Sequence, residues 1–139
     1  MEGKAVESVL KLDRISFENI HYSRDVNSEL GKNDFSMNFT RSIQTAEDGK
    51  KYRVSLTANM WSEVKGLLSL EITVVGFFTC ECEDESLKKT LVNDNTIAIL
   101  FPYLRSQISL VTTQPDILPI TLQPMNIAAM FEEAEDQKE

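Results

Sequence analysis

From Lys51 to Trp61 the chain alternates without a slip: Tyr52, Val54, Leu56, Ala58 and Met60 fall on one side, Lys51, Arg53, Ser55, Thr57 and Asn59 on the other. That period of two predicts a strand with one buried face. Just upstream, Phe35, Met37 and Phe39 alternate with Ser36, Asn38 and Thr40, and Glu47-Asp48-Gly49-Lys50 supplies a turn whose glycine is free to take positive φ. The two runs predict a hairpin. A third run sets Leu68, Leu70, Ile72, Val74, Phe78, Cys80 and Cys82 on one face, with Gly76 marking a bend or bulge. Its other face holds Glu71, Thr73, Thr79 and Glu81 but also Val75 and Phe77, an apolar patch that calls for local cover or a ligand. Between Val9 and Tyr22 the phase slips: Leu10 and Leu12 are in step, Ile15 and Phe17 one residue out, and a bulge near Asp13 or Arg14 reconciles them. The polar stretch from Ser23 to Asp34 then predicts a crossover to the next strand.

Beyond Ser86 the period changes. Ile97, Phe101, Leu104, Ile108 and Val111 recur at steps of four and three, predicting a helix that begins between Ser86 and Thr90 and runs to about Thr112. Pro102 lies inside it, where a missing N–H and a crowding ring cost about 3 kcal/mol, so a kink or restart is expected there. Val92, Ile99, Leu100, Tyr103 and Leu110 lie off the stripe, which makes the helix apolar around much of its circumference. With one sheet in the chain, the second cover comes most economically from another subunit, and Ile97, Phe101, Leu104 and Ile108 are assigned to that interface. Pro115, Pro119 and Pro124 then enforce an extended loop, and Asn126 caps a short last helix with Met125 and Met130 as its hydrophobic staple. Residues 1–131 read as one domain and 132–139 as an acidic mobile tail.

Charge narrows the partners. Fourteen Lys and Arg against twenty-two Asp and Glu leave a net charge of −8, which repels a phosphate backbone and argues against nucleic acid. No run approaches the ~20 apolar residues of a membrane span and none resembles a signal peptide, so a cytoplasmic protein is expected. Cys80 and Cys82, two apart on a strand, sit about 6.5–7 Å apart along the chain, too far for an unstrained disulfide. With His21 as the one histidine, neither a zinc set nor a nucleophile–base pair gains support, and the scattered glycines form no phosphate loop. The chain is expected to be no enzyme and to need no metal or cofactor.

The run Asn95–Phe131, NTIAILFPYLRSQISLVTTQPDILPITLQPMNIAAMF, resembles the C-terminal signature of the SecB family. Its specific parts are Leu100-Phe101-Pro102-Tyr103 followed by Arg105, and the Pro124-x-Asn126-x-x-x-x-Phe131 entry to the last helix; Ile15-Ser16-Phe17-Glu18 and Cys80-Glu81 are similar to the family's first- and last-strand motifs. The resemblance implies an α+β fold: a four-stranded antiparallel sheet with a long kinked helix and a short C-terminal helix on one face, assembled as a homotetramer, a dimer of dimers. It implies an ATP-independent holding chaperone that keeps unfolded preproteins competent for export and passes them to the motor SecA. Methionine and aromatic side chains adapt to many client shapes, so Trp61, Val75, Phe77, Met125, Ile127 and Met130 are the candidate client-binding residues, with the last helix as a lid. The family's motor-docking positions fall at Arg14, Glu18, Thr79 and Glu81, of which Glu18 and Glu81 keep the acidic charge. Two other roles are compatible with the resemblance: guarding an antitoxin of a toxin–antitoxin system, or serving as a non-chaperone oligomeric scaffold.

Overall fold

Each strand of the protein finds its neighbours by the face it must bury. The computed structural model describes residues 9–27, 35–62, 67–115 and 119–131. The acidic end 132–139, the link 63–66 and part of the β1–β2 connection lie outside the described residues. Four strands, β1 (Leu10–Arg24), β2 (Phe35–Thr45), β3 (Lys51–Ser62) and β4 (Leu68–Cys80), form one antiparallel sheet in the order β1-β4-β3-β2. Strands β1 and β2 thus occupy opposite edges, and the connection between them is the expected crossover.

The β2–β3 hairpin pairs from Phe35↔Ser62 to Thr45↔Tyr52. Gly49 takes φ 68°, and Asp48 Oδ1 accepts from the N–H groups of Lys50 and Lys51 at 2.9 and 3.2 Å. Those two N–H groups hold the Asp48 carboxyl below its usual range, the Lys50 bond contributing most. On the inward face of β3, Tyr52, Val54, Leu56, Ala58 and Met60 are all buried, as their alternation requires.

The bulge expected near Asp13 is present: the β1–β4 register slips between Leu12 and Arg14, and again between Phe17 and Asn19. The second slip, at Glu18, restores Ile20 and Tyr22 to the inward side opposite Ile72 and Leu70. Gly76 differs from expectation. The β3–β4 ladder passes through Val54↔Gly76 unbroken, so the glycine marks no bulge on that side. A Cβ there would stand 2.5 Å from Phe78 Cε2 and 2.8 Å from Leu100 Cδ2, so the missing side chain is the space into which the helix packs.

The helical layer begins at α1 (Glu85–Thr90), where Asp84 caps the N–H groups of Ser86 and Leu87. A π-helical turn, Leu91–Asn95, follows, and then α2 (Thr96–Val111) runs through Pro102 as one helix. The helix does not restart at Pro102, and the change from α hydrogen bonding falls earlier, at the π turn. Carbonyls left short of partners by the wider turn are taken up from elsewhere: Thr96 Oγ1 donates to Val92 O at 2.6 Å and Arg41 Nη1 to Asn93 O at 2.7 Å. Ile97, Phe101, Leu104 and Ile108, assigned above to a subunit interface, are instead buried within this one chain, on the side of α2 that packs against β3 and β4. A periodic stripe shows that a face needs cover, and here the chain's own sheet supplies it.

After α2 the chain turns back under side-chain control. Thr112 Oγ1 donates to Ile108 O at 2.7 Å and accepts from Ile120 N–H at 2.8 Å, while Ser109 Oγ donates to Ile120 O at 3.0 Å. The extended segment that follows buries Ile120 and Leu122 and exposes Thr121 and Gln123, and leads to a last helical turn at 127–131.

Candidate functional site

Edge strand β2 has a neighbour on one side only among the described residues. Its inward residues Phe35, Met37, Phe39 and Ile43 are consequently half-buried, whereas those of central β3 are fully covered. Phe39 meets Phe101 edge-on, with ring centroids 5.8 Å apart and planes at 65°. The last helix flanks this ledge: Ile127 is sunk in the core, Met125 and Phe131 are half-buried, and Met130 is 47% exposed. Asn126 Oδ1 accepts from Ala129 N–H at 3.1 Å and caps the helix as expected. The Arg41 guanidinium lies 4.8 Å from the Phe131 ring centroid while donating to Asn93 O, so one side chain links β2, the π turn and the last helix. The result is an apolar ledge of Phe and Met side chains beside a strand that has no second strand neighbour among the described residues.

The opposite face of the sheet is small and polar over most of its area. Thr57 and Thr73 share a hydrogen bond at 2.7 Å across the central strands, and Asn59 Nδ2 donates to Asn38 Oδ1 at 3.2 Å. Trp61 continues the outward alternation of β3 and is 41% exposed there. Val75 and Phe77 share that outer face, but Val75 is only 2% exposed and Phe77 lies beneath Arg14, whose Cζ is 4.1 Å from the ring centroid. Glu18 projects from the second bulge and pairs with Arg53 at 2.8 Å; Glu81 follows β4 as an exposed residue, its N–H donating to Val9 O at 2.9 Å.

The six candidate client residues therefore do not form one groove. Met125, Ile127 and Met130 lie on the helical side, Trp61, Val75 and Phe77 on the outer face, and Ile127 and Val75 are too buried to meet a ligand without movement. The β2 residues Phe35, Met37, Phe39 and Ile43 complete the helical-side surface and escape a sequence-based choice. Their alternation was legible, but local pattern cannot tell an edge strand from a central one. Cys80 and Cys82 are both free; burial, and then the neighbouring Cys82, push the Cys80 thiol above its usual range, away from nucleophilic chemistry.

Comparison with known proteins fits this arrangement. The family model described as preprotein translocase subunit SecB matches residues 7–138. The protein-export protein SecB of Magnetococcus marinus is 33% identical over 134 residues, covering 93% of this chain and 83% of that protein. An uncharacterized protein of Methanocaldococcus jannaschii is 39% identical over 77 residues, a match spanning 54% of this chain and about half, 48%, of that protein's length. In fold, the chain is similar to a SecB-like chaperone of Mycobacterium tuberculosis solved in complex with a peptide from the HigA1 antitoxin, with a TM-score of 0.67 and 12% identity, covering 88% of this chain and 92% of that one. With a family match that spans almost the whole chain, this chain belongs to the SecB family.

Proposed function

We propose that this chain is an ATP-independent holding chaperone that binds non-native polypeptides and keeps them competent for export. The observation that carries the reading is the partly buried ledge of Phe35, Met37, Phe39 and Ile43, with the exposed Met130 and the half-buried Met125 and Phe131 of the last helix. Thioether and aromatic side chains repack around dissimilar clients, so such a ledge can hold chains of unrelated sequence. Holding by such a surface involves no bond-making step, in keeping with a non-enzymatic role. Movement of the last helix about the Arg41–Phe131 contact would widen the ledge for larger clients.

The working form is a cytoplasmic homotetramer, a dimer of dimers. Support comes from the second face of α2, where Ile99, Tyr103, Ser106 and Leu110 follow one another at steps of four, three and four. Ile99 is partly buried against the core, but Tyr103 is 46% and Leu110 67% exposed, and Ile20 on β1 is 47% exposed, apolar surface that a second subunit would cover. Delivery to SecA would use Glu18 and Glu81, but Glu18 is already ion-paired with Arg53 and Arg14 and Thr79 occupy the other two positions. That neutralised dock favours, as a second reading, a dedicated client such as an antitoxin.

Two variants locate the client surface. In light-scattering assays with a chemically unfolded, slow-folding protein, Met130→Glu is expected to weaken protection several-fold while Trp61→Ala, on the opposite face, leaves it unchanged. Loss with Trp61→Ala and retention with Met130→Glu would contradict the ledge.

A further inference from the structure

At one end of the outer sheet face, cations gather on an otherwise acidic protein. Two adjacent rows cross the strands there: Gln44–Arg53–Phe77–Arg14, and beside it Lys51–Thr79–Lys11. Four positive side chains thus stand within two rows of a chain whose net charge is −8. The two bulges of β1 contribute carboxylates, and both are engaged. Asp13 Oδ2 accepts from Thr79 Oγ1 at 2.5 Å and its Oδ1 lies 3.9 Å from Lys11 Nζ; Glu18 Oε1 accepts from Arg53 Nη2 at 2.8 Å. Arg14 is exposed, rests over the Phe77 ring and has no ion pair among the described residues; Lys51 is exposed as well, with no salt bridge among the described residues but with the Asp48 carboxylate near enough to feel its charge. These side chains, with Asp13, Gln44 and Arg53, line a concave site on this end of the sheet.

We propose that this cleft docks an acidic segment of a partner polypeptide, one of its carboxylates being received by Arg14 with Lys51 alongside. An arginine already held against a ring loses less side-chain freedom on taking a carboxylate in a forked hydrogen bond, and a planar guanidinium suits that geometry better than an ammonium. Gln44 adds a neutral donor and acceptor at the β2 side of the row for the segment's backbone. The chain's overall negative charge does not forbid the contact: at physiological salt the screening length is about 8 Å, which damps the acids beyond the cleft, and the two carboxylates at it, Asp13 and Glu18, are already paired with Lys11 and Arg53. The sign is opposite to the acidic dock that the family resemblance implies for these positions, and the cleft lies across the sheet from the client ledge. The inference therefore stands apart from the holding reading.

The test is fluorescence anisotropy of the full chain with two labelled ten-residue peptides of the same spacing, one glutamate-rich and one lysine-rich. The glutamate peptide is expected to bind saturably, Arg14→Asp to weaken it about tenfold or more and Arg14→Gln by less, and added salt to weaken it progressively. A thermal melt shows that each variant is folded, and aggregation suppression in Arg14→Asp is expected to match the unaltered chain. No binding of the glutamate peptide, binding indifferent to Arg14→Asp, or preference for the lysine peptide would each overturn the proposal. Binding that emerges only after deletion of residues 132–139 would overturn it too, by making the chain's own acidic end the occupant. Loss of client protection with peptide binding intact would remove the holding reading and leave this one standing.

Discussion

Gly76 stands where Phe78 and Leu100 cross, with no room for even one added carbon. A Gly76→Ala chain is expected to lose about 1–3 kcal/mol, the usual cost of overpacking, read as a lower denaturant midpoint at unchanged slope. An unchanged midpoint would mean that Leu100 gives way freely. Asp48 tests the hairpin turn through its charge. Because its folded pKa is depressed by the N–H groups of Lys50 and Lys51, its contribution is present above the unfolded value of about 4 and is lost as pH falls through the folded value. Asp48→Asn should therefore melt lower than the unaltered chain at pH 7, and the gap should close in acid. A gap that persists below the depressed pKa would assign the effect to shape instead of charge.

Helix α2 carries two apolar stripes with different fates. Leu104 belongs to the stripe buried on the sheet, so Leu104→Ala should cost about 2–5 kcal/mol of stability. Leu110, open to solvent in the single chain, should cost the fold within about 0.5 kcal/mol as Leu110→Ala yet weaken association. Sedimentation beside chemical denaturation separates the two, and dissociation by Leu104→Ala without destabilisation would reverse the assignment. That the helix is apolar beyond its first stripe was legible in the sequence, from Val92, Ile99, Leu100, Tyr103 and Leu110, of which Val92 and Leu100 are buried and Tyr103 and Leu110 exposed. Which stripe meets the sheet was not, because period alone does not say which neighbour provides cover. The strands were legible to the same depth: the slip at Leu10, Leu12, Ile15 and Phe17 required a bulge near Asp13, and one is there. The bulge at Glu18 leaves the same mark, a step of three from Phe17 to Ile20, whereas the role of Gly76 depended on where Leu100 arrives from a helix remote in sequence. The ledge on β2 stayed hidden because edge position is a property of strand order, settled by the crossover after β1.

At the scale of the whole molecule, the sheet divides two kinds of surface. Its helical side holds an apolar, methionine- and phenylalanine-rich ledge along edge strand β2, and its outer side holds a polar field ending in cations around Phe77. Family membership and this division together support a chaperone that holds clients on one side and meets a partner on the other. The most direct measurement is aggregation of a chemically unfolded, slow-folding protein in the presence of the purified chain, with oligomeric mass determined in the same buffer. A tetramer that suppresses aggregation without nucleotide is the expected result; a chain that gives no protection at any stoichiometry, whatever its mass, would contradict the holding role.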